Sequence, residues 1–277
     1  MQEFLHFFEL EMNRPTNYSW FHIMFIILVV VGTFLLCHFF KDCSEKVFKR
    51  ILLIFWIVII ALEVYKEVIF SFNYHEDPLW DYPWYIFPFQ MCSTPFYILP
   101  FIIFLKRNKT TLFSDAFMSY MSFYAFFAGV CVMIYPNDVF VRRIGVNIQT
   151  MVHHSSQVVL GIFISVWYRK HFDIKYFLKG VVIFVLCINV AMFLNVILHQ
   201  ITTETVNMFY ISPYFDCTLP VLSIVYKKVP YVVFLLIYII GFTVCAFIMY
   251  ELKRLIFMLC EKHGKKQKTK NNTVNNI

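Results

Sequence analysis

Seven runs of about twenty mostly apolar residues constrain this chain more than any other feature, since that is the length a helix needs to cross a hydrocarbon core about 30 Å thick. The runs cover residues 20–40, 51–72, 85–105, 115–135, 147–168, 177–199 and 230–258. Unpaired backbone groups are costly in lipid, and no ten-residue alternating strand pattern is present. The runs therefore predict an all-α, polytopic membrane protein with a bundle of seven transmembrane helices.

The composition leaves no room for a separate soluble domain. Apolar residues make up 60% of the 277 positions and charged residues 15%, whereas soluble domains have about 45–50% and 25%. We expect one transmembrane domain over residues 1–259 and a basic, disordered tail over 260–277. The tail's five lysines favour anionic lipid as its partner rather than nucleic acid.

The lysines and arginines between the runs predict the orientation of the bundle. Loops after the first, third and fifth runs carry three or four basic residues each, and the alternate loops carry none to two. Because basic loops stay in the cytoplasm, the N-terminus is expected outside and the C-terminus in the cytoplasm. The predicted location is the cell membrane, crossed several times.

The stretch QTMVHHSSQ, residues 149–157, places polar side chains inside the fifth run. Gln149, His153 and Gln157 repeat at i, i+4 and i+8 and so share one face of a helix, while His154 lies on the adjoining stripe. With the predicted orientation, the two histidines lie roughly 9 to 11 Å below the outer boundary. This half of the helix is expected to face a cavity.

Two further runs bring polar groups to the same level of the bilayer. In the third run these groups lie beside Pro95, which cannot donate a hydrogen bond to the Met91 carbonyl and so predicts a broken helix. In the sixth run they lie near the outer end. These candidate residues are Gln90, Cys92, Asn195 and His199.

The second run contains the charged group Glu63, Lys66 and Glu67, spaced i, i+3 and i+4. We interpret it as a charge-neutralising cluster that supports the site, with a proton relay as the alternative. A His/His/Glu metal site is the weaker option, since adjacent histidines do not share a helical face as an i, i+4 pair does. We therefore expect no metal and no cofactor.

A specific set of residues carries a family resemblance: Pro88, Gln90, Cys92, Pro100, His153, His154, Asn207, Tyr210 and Pro213. With these residues the chain resembles the YwaF family of bacterial integral membrane proteins across all seven runs. That family is distantly similar to the animal transmembrane protein 164, a lipid acyltransferase. The resemblance implies a cysteine nucleophile and a histidine base that move an acyl group between glycerophospholipids. On this chain it implies Cys92, with either His153 or His154.

Two functions stay open at this point. The first is a phospholipid acyltransferase or transacylase with a Cys/His site in the outer half of the bilayer and membrane phospholipids as partners. Its substrate contacts would come from Gln90, Gln157, Asn195, His199 and Asn207. The second is a non-enzymatic seven-helix binding or transport protein, whose polar, histidine-lined cavity holds a small solute, a proton or a metal.

Overall fold

A computed structural model describes residues 2–74, 77–105 and 107–274 of the chain. Those residues form helices and two isolated bridges, and they contain no strand. The helices are α1 (Gln2–Phe7), α2 (Trp20–Phe40), α3 (Glu45–Ser71), α4 (Pro95–Phe104), α5 (Arg107–Tyr120), α6 (Phe126–Ile134), α7 (Ile144–Trp167), α8 (Ile174–Ile201), α9 (Leu222–Tyr226) and α10 (Tyr231–Val274). A five-residue π segment, Met121–Ala125, joins α5 to α6.

Four helical stretches in the described chain are long and apolar enough to cross a membrane. They are Trp20–Phe40, Leu112–Ile134, Ile174–Ile201 and Tyr231–Lys262. The chain is thus an all-α, multi-pass membrane protein. α3 and α7 are also long, but their charged and polar side chains lower their hydropathy, and the third predicted span holds only the ten-residue α4. The count of seven spans and the orientation of the termini stay predictions.

α7 is the central helix of the bundle. It contacts α2, α3, α6 and the π segment, so both its apolar arc and its polar arc meet protein. The polar side chains Gln149, Thr150, His153, His154 and Gln157 are all buried. Their burial confirms the predicted inward orientation of Gln149, His153 and Gln157. The cavity that this half of the helix is expected to face stays a prediction.

Lys253 of α10 ties the π segment to α7 from the inside of the bundle. Its ammonium group donates hydrogen bonds to the carbonyl oxygen of Ser122 at 2.6 Å, the carbonyl oxygen of Gly161 at 3.0 Å and the hydroxyl of Ser165 at 3.1 Å. A π segment interrupts the regular helical ladder and changes which carbonyls have partners. Lys253 supplies a donor there.

α10 extends beyond the predicted seventh span. Helical backbone continues through residues 260–274, where the sequence predicts a disordered tail. Residues 275–277 lie outside the described part of the chain. The side chains of the tail lysines beyond residue 262, which we expected to contact anionic lipid, also lie outside it.

The close contact between α5 and α8 yields a stability prediction at Gly180. A β-carbon at this position would lie 3.0 Å from backbone atoms of Ser119 and Tyr120. We expect Gly180→Ala to force the two helices apart, at a cost of about 1–3 kcal/mol, and to lower the midpoint of thermal unfolding in detergent. The control is Gly241→Ala, where nothing lies within 4 Å. Equal midpoints for the two variants would contradict this packing.

Candidate functional site

The site begins where regular helix is interrupted, just before α4. A single 3-10 turn, Met91–Ser93, precedes the helix, which starts at Pro95. The Met91 carbonyl that Pro95 cannot serve accepts a hydrogen bond from the Thr94 hydroxyl at 2.7 Å. The sequence predicted the break, but it did not reveal that the following threonine would satisfy the freed oxygen.

The carbonyl oxygen of Cys92 is held by α7. His153 donates to it through Nε2 at 2.7 Å, and the side-chain amide of Gln157 donates to it as well. These two residues are one helical turn apart, so both reach the same oxygen. The structure therefore brings together three of the predicted site residues, and the contact it forms between them runs through the Cys92 backbone.

The contact with Cys92 determines the tautomer of neutral His153. A carbonyl oxygen can only accept, so the proton must be on Nε2, and Nδ1 of the neutral ring then carries a lone pair. Nδ1 is buried and has no hydrogen-bond partner among the described residues. His153 is 4% exposed, which keeps this basic nitrogen away from bulk water.

His154 repeats the arrangement with its nitrogens reversed. Its Nδ1 donates to the Thr150 carbonyl on the same helix at 2.7 Å, and its Nε2 has no partner in the described structure. The centroids of the His153 and His154 rings are 5.6 Å apart. Oε1 of Gln157 also lacks a partner there. The site thus contains three buried acceptor atoms and is suited to a ligand that donates hydrogen bonds.

The charged group of α3 contacts α7 one turn away from His153. Lys66 pairs with Glu63 and lies 3.1 Å from a carboxylate oxygen of Glu67. Gln149 donates to the other oxygen of Glu63 at 2.9 Å, and Thr150 donates to Gln149 at 3.3 Å. The group thus forms a hydrogen-bonded network that joins α3 to α7 beside the histidines.

Three predicted substrate contacts hold a buried connection between α8 and α9. Gln90 donates to the Asn207 carbonyl at 2.9 Å and accepts from the Phe209 amide at 2.8 Å. Asn195 accepts from the amide of Met208 at 2.6 Å and donates to its carbonyl at 3.1 Å. Asn207 accepts from the amide of Ser212 and donates to the carbonyl of Asp216. Each amide group is therefore engaged with backbone.

His199 lies apart from these contacts. It is exposed at the end of α8, and its ring stacks on Tyr214 with the centroids 3.8 Å apart. The described residues contain no group of three or more His, Cys, Asp or Glu side chains arranged to hold a metal ion.

Three tyrosines near Cys92 were not among the predicted site residues. A charge on the Cys92 sulfur would interact with the phenols of Tyr120, Tyr210 and Tyr238. They come from three separate parts of the chain, so no spacing in the sequence links them. Tyr210 alone carried a signal, as one of the residues behind the family resemblance.

The network around Glu63 yields a second stability prediction. Glu63→Leu would leave Lys66 with one carboxylate and the Gln149 amide without its acceptor, and breaking such a buried pair costs about 3–5 kcal/mol. We expect the thermal midpoint in detergent to fall for this variant. The double variant Glu63→Leu/Lys66→Met should recover most of the loss. If the thermal midpoint of the double variant stays as low as that of Glu63→Leu, the neutralising role of the pair is contradicted.

Comparison with known proteins agrees with the membrane architecture. Neither a curated protein sequence nor a solved structure matches the chain significantly. The model of the TMEM164 family matches residues 17–250, a stretch that contains the break at Cys92, all of α7 and the buried connection after α8. The chain therefore belongs to the TMEM164 family.

Proposed function

We propose that this protein is a phospholipid acyltransferase or transacylase of the cell membrane, a YwaF-type member of its family, with seven spans. Cys92 is the nucleophile and His153 is the base. The acyl donor and acceptor are membrane glycerophospholipids, which reach the site from the outer half of the bilayer. The basic tail contacts anionic lipid on the cytoplasmic side.

One observation supports this proposal. The imidazole of His153 donates a hydrogen bond to the backbone carbonyl of Cys92 and keeps an unprotonated Nδ1 in a buried site. A cysteine attacks an ester only when a base can take its proton, and an imidazole supplies that base near neutral pH. Because Nε2 is committed to the Cys92 carbonyl, Nδ1 is the nitrogen that accepts the proton.

The proposed reaction has two halves. In the first, the thiol proton of Cys92 moves to Nδ1 of His153, and the sulfur attacks the ester carbonyl carbon. The carbon–oxygen bond breaks, and His153 returns the proton to the departing lysolipid oxygen. In the second, the acceptor hydroxyl gives its proton to Nδ1, its oxygen attacks the thioester, and the sulfur leaves and regains the proton.

The remaining predicted residues receive supporting roles in this proposal. Gln157 fixes the Cys92 carbonyl, which orients the nucleophile. Gln90, Asn195 and Asn207 hold the connection between α8 and α9. His154 offers a second unprotonated nitrogen to the acceptor lipid, and His199 contacts a head group at the rim.

The three unpartnered acceptors also favour a second candidate, a binding or transport protein without an acyl-enzyme. Its ligand would be a small solute that donates hydrogen bonds to His153, His154 and Gln157, or a proton or metal ion held by the same atoms. Such a protein needs the histidines but not a reactive thiol. The two functions therefore respond differently to a change at Cys92.

A lipid probe that traps thiols tests the nucleophile. We expect a phospholipid analogue with an electrophilic acyl group to label wild-type protein in membranes and to leave Cys92→Ala unlabelled. The matched control is Cys131→Ala, since Cys131 is an exposed thiol on α6. Equal labelling of the Cys92 and Cys131 variants would contradict the assignment of Cys92 as the nucleophile.

Removal of the base tests the role of His153. His153→Gln keeps a side-chain amide that can donate to the Cys92 carbonyl, but it provides no proton acceptor of comparable basicity. We expect the acyl-transfer rate to fall by about 10²–10⁴-fold, measured from the lipid profile of membranes supplied with labelled donor. An acyl-transfer rate equal to that of wild type would favour the binding protein. So would a His153→Gln variant that loses ligand binding while the lipid profile stays unchanged.

A further inference from the structure

The connection between α8 and α9 contains a buried stretch without regular helix. Val206, Met208, Phe209, Ile211 and Ser212 are each 0% exposed. Backbone outside a regular helix must find other partners when it is buried, and such segments often carry function. This stretch contacts α8 and packs Phe209 against Phe89, whose ring centroid is 5.8 Å away.

The centre of the stretch adopts an unfavourable backbone conformation. Phe209 and Tyr210 have φ values of 56° and 57°, the left-handed region that bulky residues avoid. Two such residues in succession persist only where the surroundings fix them, and strain of this kind clusters at functional sites.

Four side chains provide that fixation. Gln90, Asn195 and Asn207 hold the backbone of the stretch through both atoms of their amide groups, as described above. In addition, the Tyr231 hydroxyl donates to the carbonyl of Ile211 at 2.5 Å. Gln90 lies two residues before Cys92, so the strained turn is attached to the same short segment that carries the thiol.

Tyr210 is the second residue of the strained turn, and a charge on the Cys92 sulfur would act on its phenol. The phenol is partly buried, and its oxygen forms no hydrogen bond with another described residue. Burial, followed by the negative charge that the Cys92 sulfur carries when deprotonated, raises the pKa of Tyr210 to about 12. The group is therefore a neutral hydroxyl that can donate a hydrogen bond.

The other two phenols near Cys92 are less suited to this task. Thr94 gives its single proton to the Met91 carbonyl, so Tyr120, 2.9 Å away, must donate its own proton to Thr94. Tyr238 is 1% exposed and is fixed on the regular helix α10. Of the three phenols, only Tyr210 combines a hydroxyl without a hydrogen-bond partner among the described residues, partial exposure and a strained backbone.

We propose that Tyr210 is a further catalytic residue, whose hydroxyl donates a hydrogen bond to the ester carbonyl oxygen of the lipid when Cys92 attacks. This inference rests on the proposed acyl transfer. As the sulfur–carbon bond forms, the carbonyl π electrons move to the oxygen, and Tyr210 stabilises the resulting oxyanion without giving up its proton. The same hydrogen bond forms again when the acceptor hydroxyl attacks the thioester.

The test is the rate at which Cys92 becomes acylated in Tyr210→Phe. The substitution removes one hydroxyl and keeps the ring, and loss of a single oxyanion donor slows acyl transfer by about 10²–10³-fold. The rate of acyl-enzyme formation is measured with a labelled phospholipid in vesicles. The matched control is Tyr238→Phe, which removes a phenol near the same thiol and should acylate at the wild-type rate.

Alkylation of Cys92 by a small reagent provides the second readout. Slow acylation of Tyr210→Phe with unchanged alkylation supports the proposal. Acylation of Tyr210→Phe at the wild-type rate overturns it, and so does a parallel loss of acylation and alkylation, which would mean that the hydroxyl acts only through the structure. If wild-type Cys92 itself forms no acyl-enzyme, the acyl-transfer function fails, and this inference fails with it.

Discussion

Backbone groups that leave a regular helix inside a membrane protein must find partners in the protein, since lipid offers none. In the described part of the chain, such departures from regular α-helix include the turn before α4, the π segment and the connection after α8. In each case side chains from neighbouring segments supply hydrogen bonds. His153 and Gln157 donate to the turn before α4, and Lys253 donates to the π segment. Gln90 and Asn195 bind the backbone of the connection after α8. The positions of these polar residues within the apolar runs are consistent with this requirement.

The same requirement prepares the chemistry. Each histidine of α7 commits one ring nitrogen to a carbonyl oxygen, which fixes the ring and its tautomer. The other nitrogen is left unprotonated in a buried site. A group that satisfies the backbone therefore also provides a base. The proposed acyl transfer uses this second nitrogen of His153, and the binding alternative uses it as an acceptor for a ligand.

The sequence predicted the parts of this arrangement that depend on helical periodicity and on proline. The i, i+4, i+8 spacing of Gln149, His153 and Gln157 correctly placed these side chains inside the bundle. Pro95 correctly indicated a broken helix at Cys92. These are local properties, because a helix repeats every 3.6 residues and a proline cannot donate to the helical ladder.

Contacts between distant parts of the chain could not be predicted in this way. Nothing in the sequence distinguishes a histidine that contacts the Cys92 carbonyl from one that contacts its thiol. Residues 206–212 follow a polar stretch and resemble an ordinary outer loop, yet they are largely buried, and Gln90 and Asn195 from two other segments bind their backbone. Lys253 follows Glu251 by two residues in the sequence, yet its partners are two carbonyl oxygens and a hydroxyl of other segments, which come within reach only after packing.

The central claim is that the Cys92 carbonyl keeps His153 as the neutral tautomer protonated at Nε2, with Nδ1 free. Nitrogen-15 NMR of protein labelled in its histidine rings measures this directly, because the two ring nitrogens differ in chemical shift when one carries the proton. The His153 signals are identified by their loss in His153→Gln. We expect a protonated Nε2 and an unprotonated Nδ1 at neutral pH. A proton on Nδ1 with a bare Nε2 would contradict the account.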